Sequence, residues 1–231
     1  MKSLCVIQHT SADYLGLMED HLEGRNIRFR YHRPFTESGV VPPYIGVGDG
    51  LILMGGGPWG AAGVRDVPTL EEEVALVRHC LMMSTPVLAF GLGAQILCLA
   101  AQGEVTEAPL EFRVGYAERT RPDALNGFMP ERFPCVSYMR DKPAPPDYAD
   151  ILARDEAGDP VAFQIGENVL GFTFHPGFKL AIAEDLIMEF EESPEGTGPL
   201  LSRVGAMKRE IEDALVPIMT GIVQIGGYMR G

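Results

Sequence analysis

Positive charge is scarce in this chain. Nineteen lysines and arginines stand against 32 aspartates and glutamates, a formal net charge of −13. Nucleic acids and anionic membranes draw much of their binding from basic side chains, so neither is expected as a partner. Tryptophan occurs once and cysteine four times. Cys5, Cys80, Cys98 and Cys135 show no Cys-x-x-C pair and no zinc spacing, so no metal site and no cofactor are expected. No apolar run is long enough to span a membrane. The stretch after Met1 turns polar at His9, too soon for a signal peptide. The expected compartment is therefore the cytoplasm, with reduced thiols. Internal repeats are missing as well.

What is present reads as an ordinary globular chain of 231 residues, 46% apolar and 22% charged. That length fits one large α/β domain over 1–231 better than two small ones. Leu4 to Gln8 reads as a buried strand, followed by a helix over about 13–23 that Thr10 and Ser11 can cap. Ile27, Phe29 and Tyr31 alternate with arginines as a half-wet strand. Gly50 to Met54 is a buried strand that runs into Gly55-Gly56-Gly57-Pro58-Trp59-Gly60. Thr69 to Met83 reads as an amphipathic helix with an acidic first turn. From Pro109 to Ala162 prolines break the pattern into short strands and loops, long enough for a lid or a partner surface. Two paired strands follow, Val161 to Ile165 and Val169 to Phe174, then a helix over 181–192. A last helical extension covers about 194–231, with a break expected near Pro217.

The stretch that organises the rest is Pro86-Val-Leu-Ala-Phe-Gly-Leu-Gly-Ala-Gln. An apolar strand stops at a Gly-x-Gly turn and continues as a helix from Ala94, the architecture of a nucleophile elbow. Strands alternating with helices imply a three-layer, mostly parallel twisted sheet covered by helices on both faces. In such sheets sites form at the carboxyl ends of strands. The Gly55 to Gly60 turn, the Gly91 elbow and His175-Pro176 all lie at such ends.

These pieces resemble the class I glutamine amidotransferases, whose Cys-His-Glu triad releases ammonia from glutamine. Gly50-Leu-Ile-Leu-Met-Gly-Gly-Gly-Pro resembles the family's strand and oxyanion turn. The Pro86 to Gln95 stretch resembles its Pro-Val-Leu-Gly-Ile-Cys-Leu-Gly-Ala-Gln elbow. Val114-Gly115-Tyr116 resembles its Ile-Gly-Trp, and Gly171-Phe-Thr-Phe-His-Pro resembles its Gly-x-x-Phe-His-Pro-Glu. The resemblance runs from about Leu4 to Phe190 and implies a flavodoxin-like α/β fold. It also places Gly56, Gly57 and Leu92 at the oxyanion turn and Gln95 in the glutamine pocket.

The departures from that pattern fall on the chemistry. Gly91 stands where the family has its nucleophile, and Gly177 where it has the orienting carboxylate. His175 alone remains of the triad, as a remnant base or as a structural residue. Ala89 replaces the first glycine of the elbow and is expected to crowd the turn. A thiolate attack cannot start from glycine. Cys98 lies about 10 Å further along the helix axis at 1.5 Å per residue, and is expected to be buried and inert. Glu111 and Glu184 are candidates to replace the carboxylate missing at 177. The reading preferred is a non-catalytic binding or regulatory subunit that keeps a small-molecule pocket at the elbow and partners a synthetase or amide ligase. One alternative is an amidohydrolase that acts on a γ-glutamyl amide through water directed by His175. Another is an interaction module with a vestigial pocket, assembled as a homodimer.

Overall fold

A computed structural model describes residues 1–229. Its strands are β1 (Ser3–Ile7), β2 (Arg28–His32), β3 (Gly50–Leu53), β4 (Val87–Phe90), β5 (Glu104–Thr106), β6 (Glu111–Arg119), β7 (Arg132–Met139), β8 (Lys142–Ala144), β9 (Asp150–Asp155), β10 (Pro160–Ile165) and β11 (Val169–Phe172). Its helices are α1 (Met18–Glu23), α2 (Leu70–Met82), α3 (Leu92–Ala100), α4 (Leu180–Glu189) and α5 (Thr197–Ile225).

Nine strands form one sheet in the order β2-β1-β3-β4-β11-β10-β9-β6-β7. The five strands from β2 to β11 are parallel and form the central layer. Their residues alternate between two cores. Leu4, Val6, Ile52, Leu88 and Phe90 face one core, shared with α1 and α5. Cys5, Ile7, Leu51, Leu53, Val87 and Ala89 face the other, shared with α2 and α3. Both faces of β1, β3, β4 and β11 are dry, which is why those strands read as apolar runs, whereas the edge strand β2 is partly exposed. No helix among the described residues is long and apolar enough to cross a membrane.

The stretch expected to be short strands and loops is instead the antiparallel half of the sheet. β6 and β7 pair over their length from Glu111↔Met139 to Glu118↔Arg132. Phe112, Val114 and Tyr116 alternate along β6 toward a third core built with α4 and α5. Pro134 does not break β7 because β7 is the edge strand of the sheet, where a missing N–H on the outer side costs no ladder bond. Pro160 is the first residue of the interior strand β10, a position where proline is tolerated. α5 likewise continues through Pro217 rather than breaking there. Its buried residues Val204, Met207, Ile211, Leu215, Ile218 and Ile222 recur at helical spacing and lie in the cores beneath it.

The first helix also differs from expectation. α1 starts at Met18, not near Asp13. The preceding loop is pinned by tertiary bonds. Asp13 N–H donates to Thr10 Oγ1 at 3.1 Å, and Leu17 N–H donates to the Gly177 carbonyl at 2.9 Å. Those bonds place Asp13 to Leu17 on the rim of the sheet.

Candidate functional site

The rim is assembled at the carboxyl ends of β1, β3, β4 and β11. Gly91 joins β4 to α3 with φ 51° and ψ −114°, a conformation that L side chains rarely adopt and glycine adopts without strain. Its N–H donates to Phe172 O at 2.9 Å, and Gly93 N–H donates to Met54 O at 3.1 Å. The elbow is therefore tied to both neighbouring strands. A Cβ at 91 would meet only the Gly55 Cα, at 3.3 Å, a tight contact with one backbone atom. Ala89 does not crowd this turn. It lies within β4, paired with Gly171 and Leu53.

Gly56 packs on the Leu92 side chain, and Gly57 faces Leu186 and Phe190 of the α4 end. The N–H groups of Gly57 and Leu92 have no acceptor among the described residues. Both are backbone donors of the kind an oxyanion turn presents. Gln95 is fully buried. Its Nε2 donates to the Arg140 carbonyl at 2.5 Å, and its Oε1 is buried without a partner.

His175 is buried and locked. Its Nε2–H donates to Tyr14 O at 2.6 Å, and its Nδ1 accepts the Gly177 N–H at 3.1 Å. This fixes the neutral tautomer with its proton on Nε2. The ring stacks on Phe90, with centroids 5.7 Å apart. Burial lowers its pKa to about 4. Gly177 has no room for a side chain. A Cβ there would lie 2.7 Å from Met18 Cγ, 2.9 Å from Met18 N and 3.0 Å from Leu15 O.

Neither Glu111 nor Glu184 reaches His175. Glu111 pairs with Arg113, and Glu184 is exposed on α4. The carboxylate beside the histidine is Asp13, whose Oδ1 lies 4.0 Å from His175 Nε2. Asp13 is buried, and Oδ1 accepts no hydrogen bond. Oδ2 sits 2.0 Å from where a Gly55 Cβ would project, so a side chain at 55 would displace the Asp13 carboxyl. Burial raises the Asp13 pKa to about 7; His9 opposes that rise and Glu189 adds to it.

A second buried pair stands behind Asp13. His9 donates from Nδ1 to the Gly55 carbonyl at 3.1 Å and pairs through Nε2 with Glu73 Oε2 at 2.8 Å. Glu73 Oε1 accepts the Thr69 hydroxyl at 2.6 Å. A carbonyl can only accept, so Nδ1 carries a proton. Burial alone would lower the His9 pKa, but the charge and hydrogen bond of Glu73 outweigh it and the value is raised. His9 thus ties the end of β1 to the Gly55 turn through Nδ1–H and faces the Glu73 carboxylate with Nε2. Sequence reasoning missed all three residues. His9 closes an apolar strand at the same rim, a signal available but unused, whereas Asp13 was absorbed into a helix start.

The end of α4 closes over the rim. Glu189 accepts the N–H groups of Ser11 and Ala12 at 3.2 and 3.1 Å, and Glu192 bridges Arg65 and Arg140. Trp59 stacks under Arg65, with the guanidinium 5.1 Å from the ring. No thiol replaces the missing one. Burial raises Cys5, Cys98 and Cys135 to about 12 and Cys80 to about 11. Among the described residues no group of three or more His, Cys, Asp or Glu is arranged to hold a metal. A cavity of about 740 Å³ exists elsewhere, lined by Arg113, Ser137, Pro145 and Thr173 among others, and includes none of Gly91, Leu92, Gln95 or His175.

No family model matches the chain. A glutamine-hydrolyzing GMP synthase of Aeropyrum pernix is 28% identical over 173 residues, covering 71% of this chain. The matched part is 32% of that protein, so the chain spans about a third of the length of this curated relative. A solved glutamine amidotransferase from Thermotoga maritima superposes with TM-score 0.81 at 20% identity, covering 97% of this chain and 98% of that one. A glutamine amidotransferase from Methylobacillus flagellatus gives 0.75 at 22% identity, covering 96% and 95%. The fold is that of a class I glutamine amidotransferase-like domain, an α/β sheet layered between helices.

Proposed function

We propose that this glutamine amidotransferase-like chain does not run the Cys-His-Glu glutaminase reaction and serves as a binding or regulatory subunit beside a synthetase or amide ligase. The observation that carries the reading is the elbow itself. Gly91 stands at the strand-to-helix turn where the family has its nucleophile, with a positive φ and no side chain. Covalent catalysis needs an attacking atom at that point, and the four thiols are buried with raised pKa values. His175 supports the same reading, since a general base needs a free lone pair within reach of its proton and Nδ1 is occupied by the Gly177 N–H. The synthetase partner is inferred from the GMP synthase relative, of which this chain matches only a part.

Ammonia release from glutamine and from γ-glutamyl amides tests the reading, measured for the protein and for His175→Ala. No turnover above buffer is expected for either. Turnover that His175→Ala abolishes overturns it and favours a water-directed amidohydrolase. Pull-down with candidate synthetases then tests the partner.

A further inference from the structure

Gly115 lies midway along β6, opposite Cys135 of β7. β9 pairs with β6 only from Ala117 to Arg119, so the sheet parts at Gly115, and the chain after β11 crosses the gap. Thr173 N–H donates to Val161 O at 2.9 Å, and His175 N–H donates to Val136 O at 3.1 Å. The cavity of about 740 Å³ lies at this parting, lined there by Arg113, Gly115, Cys135, Ser137 and Thr173. Its volume is in the range of small-molecule sites, roughly 300–1,000 Å³. A Cβ at 115 would meet only Glu156 Oε2, at 3.4 Å. Glycine is therefore not forced at 115 by packing, and its missing side chain leaves space in the cavity.

The polar groups of the wall indicate what fits. Thr173 is 9% exposed, and its hydroxyl makes no hydrogen bond with any described residue. A buried hydroxyl without a partner is costly, and a ligand that bonds it offsets the cost. The charges are unequal. Arg113, Lys142 and Arg154 stand against Glu111, Asp141, Asp147, Asp155, Glu156 and Asp159. Asp141 accepts the N–H groups of Ala61, Ala62 and Ala108. Glu111 accepts from the Arg113 guanidinium, and Asp159 pairs with Lys142 at 3.0 Å. Arg154 donates to the Gly158 carbonyl. Asp155 and Glu156 are less well served. Asp155 Oδ1 accepts the N–H groups of Ala157 and Asp159, but Oδ2 has Arg113 only at 3.6 Å. Glu156 has Arg132 only at 3.6 Å, beyond direct hydrogen-bonding distance. Burial raises the Cys135 thiol to about 12; Asp155 adds to the rise, Arg113 opposes it and Glu156 adds. These charges therefore converge on the cavity beside Cys135. The rest of the wall is apolar, with Met139, Ile151, Val161 and the run Pro143-Ala-Pro-Pro146. Three residues of that run have no N–H, so it offers carbonyl acceptors rather than donors.

We propose that this cavity binds a small organic amine as its ammonium ion, with Asp155 as the inner counter-ion, Glu156 at the mouth and the apolar body of the ligand against Ile151, Val161 and the proline wall. An anion would meet carboxylates that already lack a close partner. A bare ammonium ion would leave the apolar wall wet. The site includes none of Gly91, Leu92, Gln95 or His175, so its occupancy is measured independently of any glutamine turnover at the elbow.

The experiment titrates phenethylammonium chloride into the intact protein by calorimetry. Two controls take it apart: 3-phenylpropionate carries a similar body with the opposite charge, and methylammonium keeps the charge without the body. Gly115→Leu fills the space, while Asp155→Asn and Glu156→Gln remove charge. Asp155→Asn keeps the Oδ1 acceptor, and the Glu156 side chain is 65% exposed, so both variants should melt like the parent. Saturable phenethylammonium binding is expected. It should weaken about tenfold or more in Gly115→Leu and in Asp155→Asn, and about two- to fivefold in Glu156→Gln. The proposal is overturned if phenethylammonium shows no saturable binding, or if either control binds as well. It is equally overturned if Asp155→Asn, or a folded Gly115→Leu, binds phenethylammonium as the parent does.

Discussion

Nε2 of His9 lies 2.8 Å from Oε2 of Glu73, and both side chains are shielded from solvent. Removing one partner of such a pair leaves a buried charge uncompensated, at about 3–5 kcal/mol. Glu73→Gln is therefore expected to lower the free energy of unfolding by that order in urea denaturation. The pair also has a pH signature. The folded His9 pKa is raised above its ordinary value. The pair's contribution is thus fully present below about pH 6.5, the unfolded value, and is lost as pH rises through the folded pKa. Glu73→Gln should flatten that part of the stability profile. A profile unchanged by the substitution means that His9 is held in some other way.

Gly91 and Gly177 stand at the two positions where the resembled pattern has catalytic side chains, yet they tolerate side chains very differently. A Cβ at 177 would press on backbone atoms of Leu15 and Met18 at 3.0 and 2.9 Å. Gly177→Ala is expected to cost about 1–3 kcal/mol by overpacking, and Gly177→Glu to cost more. A side chain at 91 meets one atom at 3.3 Å, so Gly91→Cys bears mainly the positive-φ strain, about 1–3 kcal/mol. The paired melts decide the matter: Gly91→Cys should fold, and Gly177→Glu should not reach the parent's melting temperature. Equal tolerance at the two positions would falsify the claim that the β1–α1 loop excludes the carboxylate from 177.

Gly91→Cys also reports on accessibility. All four native thiols are buried, and burial raises their pKa values. Alkylation follows the thiolate fraction and access. The folded parent should therefore resist iodoacetamide, while the variant gains one reactive thiol at the N-terminus of α3. Mass spectrometry of the labelled protein counts it. Rapid labelling of the parent under native conditions would mean that the thiols are not held as described. The variant is not expected to gain glutaminase activity, because the lone pair on His175 Nδ1 is committed to Gly177 N–H.

Much of the parallel half was legible in the sequence because its strands are apolar on both faces and end in glycine turns. The elbow, the Gly55 to Gly60 turn and the His175 strand end do meet at one rim. In the antiparallel half the β10–β11 pair was legible, but β6 and β7 were not. β7 carries Pro134, which is tolerated because β7 is an edge, and an edge is a property of topology rather than of sequence. The site was read only in part for a similar reason. Gly177 looks like a simple loss, yet its cause lies some 160 positions away, in the loop that leaves Asp13 beside His175. Asp13 looks like a first-turn helix acid because Met18 and Leu22 follow at helical spacing. The bonds that hold the loop open, from Leu17 to Gly177 and from Asp13 to Thr10, are tertiary and local choices that spacing does not distinguish.

Asp13 leaves a mark on stability that needs no ligand. Burial raises its folded pKa to about 7, with His9 opposing and Glu189 adding, against an unfolded value of about 3.9. Between those values the folded state holds the proton that the unfolded state has released. Stability therefore falls as pH rises from about 4 to about 7 and levels off above. Asp13→Asn keeps the shape and removes the charge. It should match the parent in acid and exceed it above neutrality by about 1–3 kcal/mol, the cost of an unsatisfied buried group. Urea midpoints measured across that range check the sign. A parent whose stability rises toward neutral pH while Asp13→Asn stays flat would mean that the carboxylate is stabilised by a partner in the folded protein, the opposite of a buried carboxyl without one.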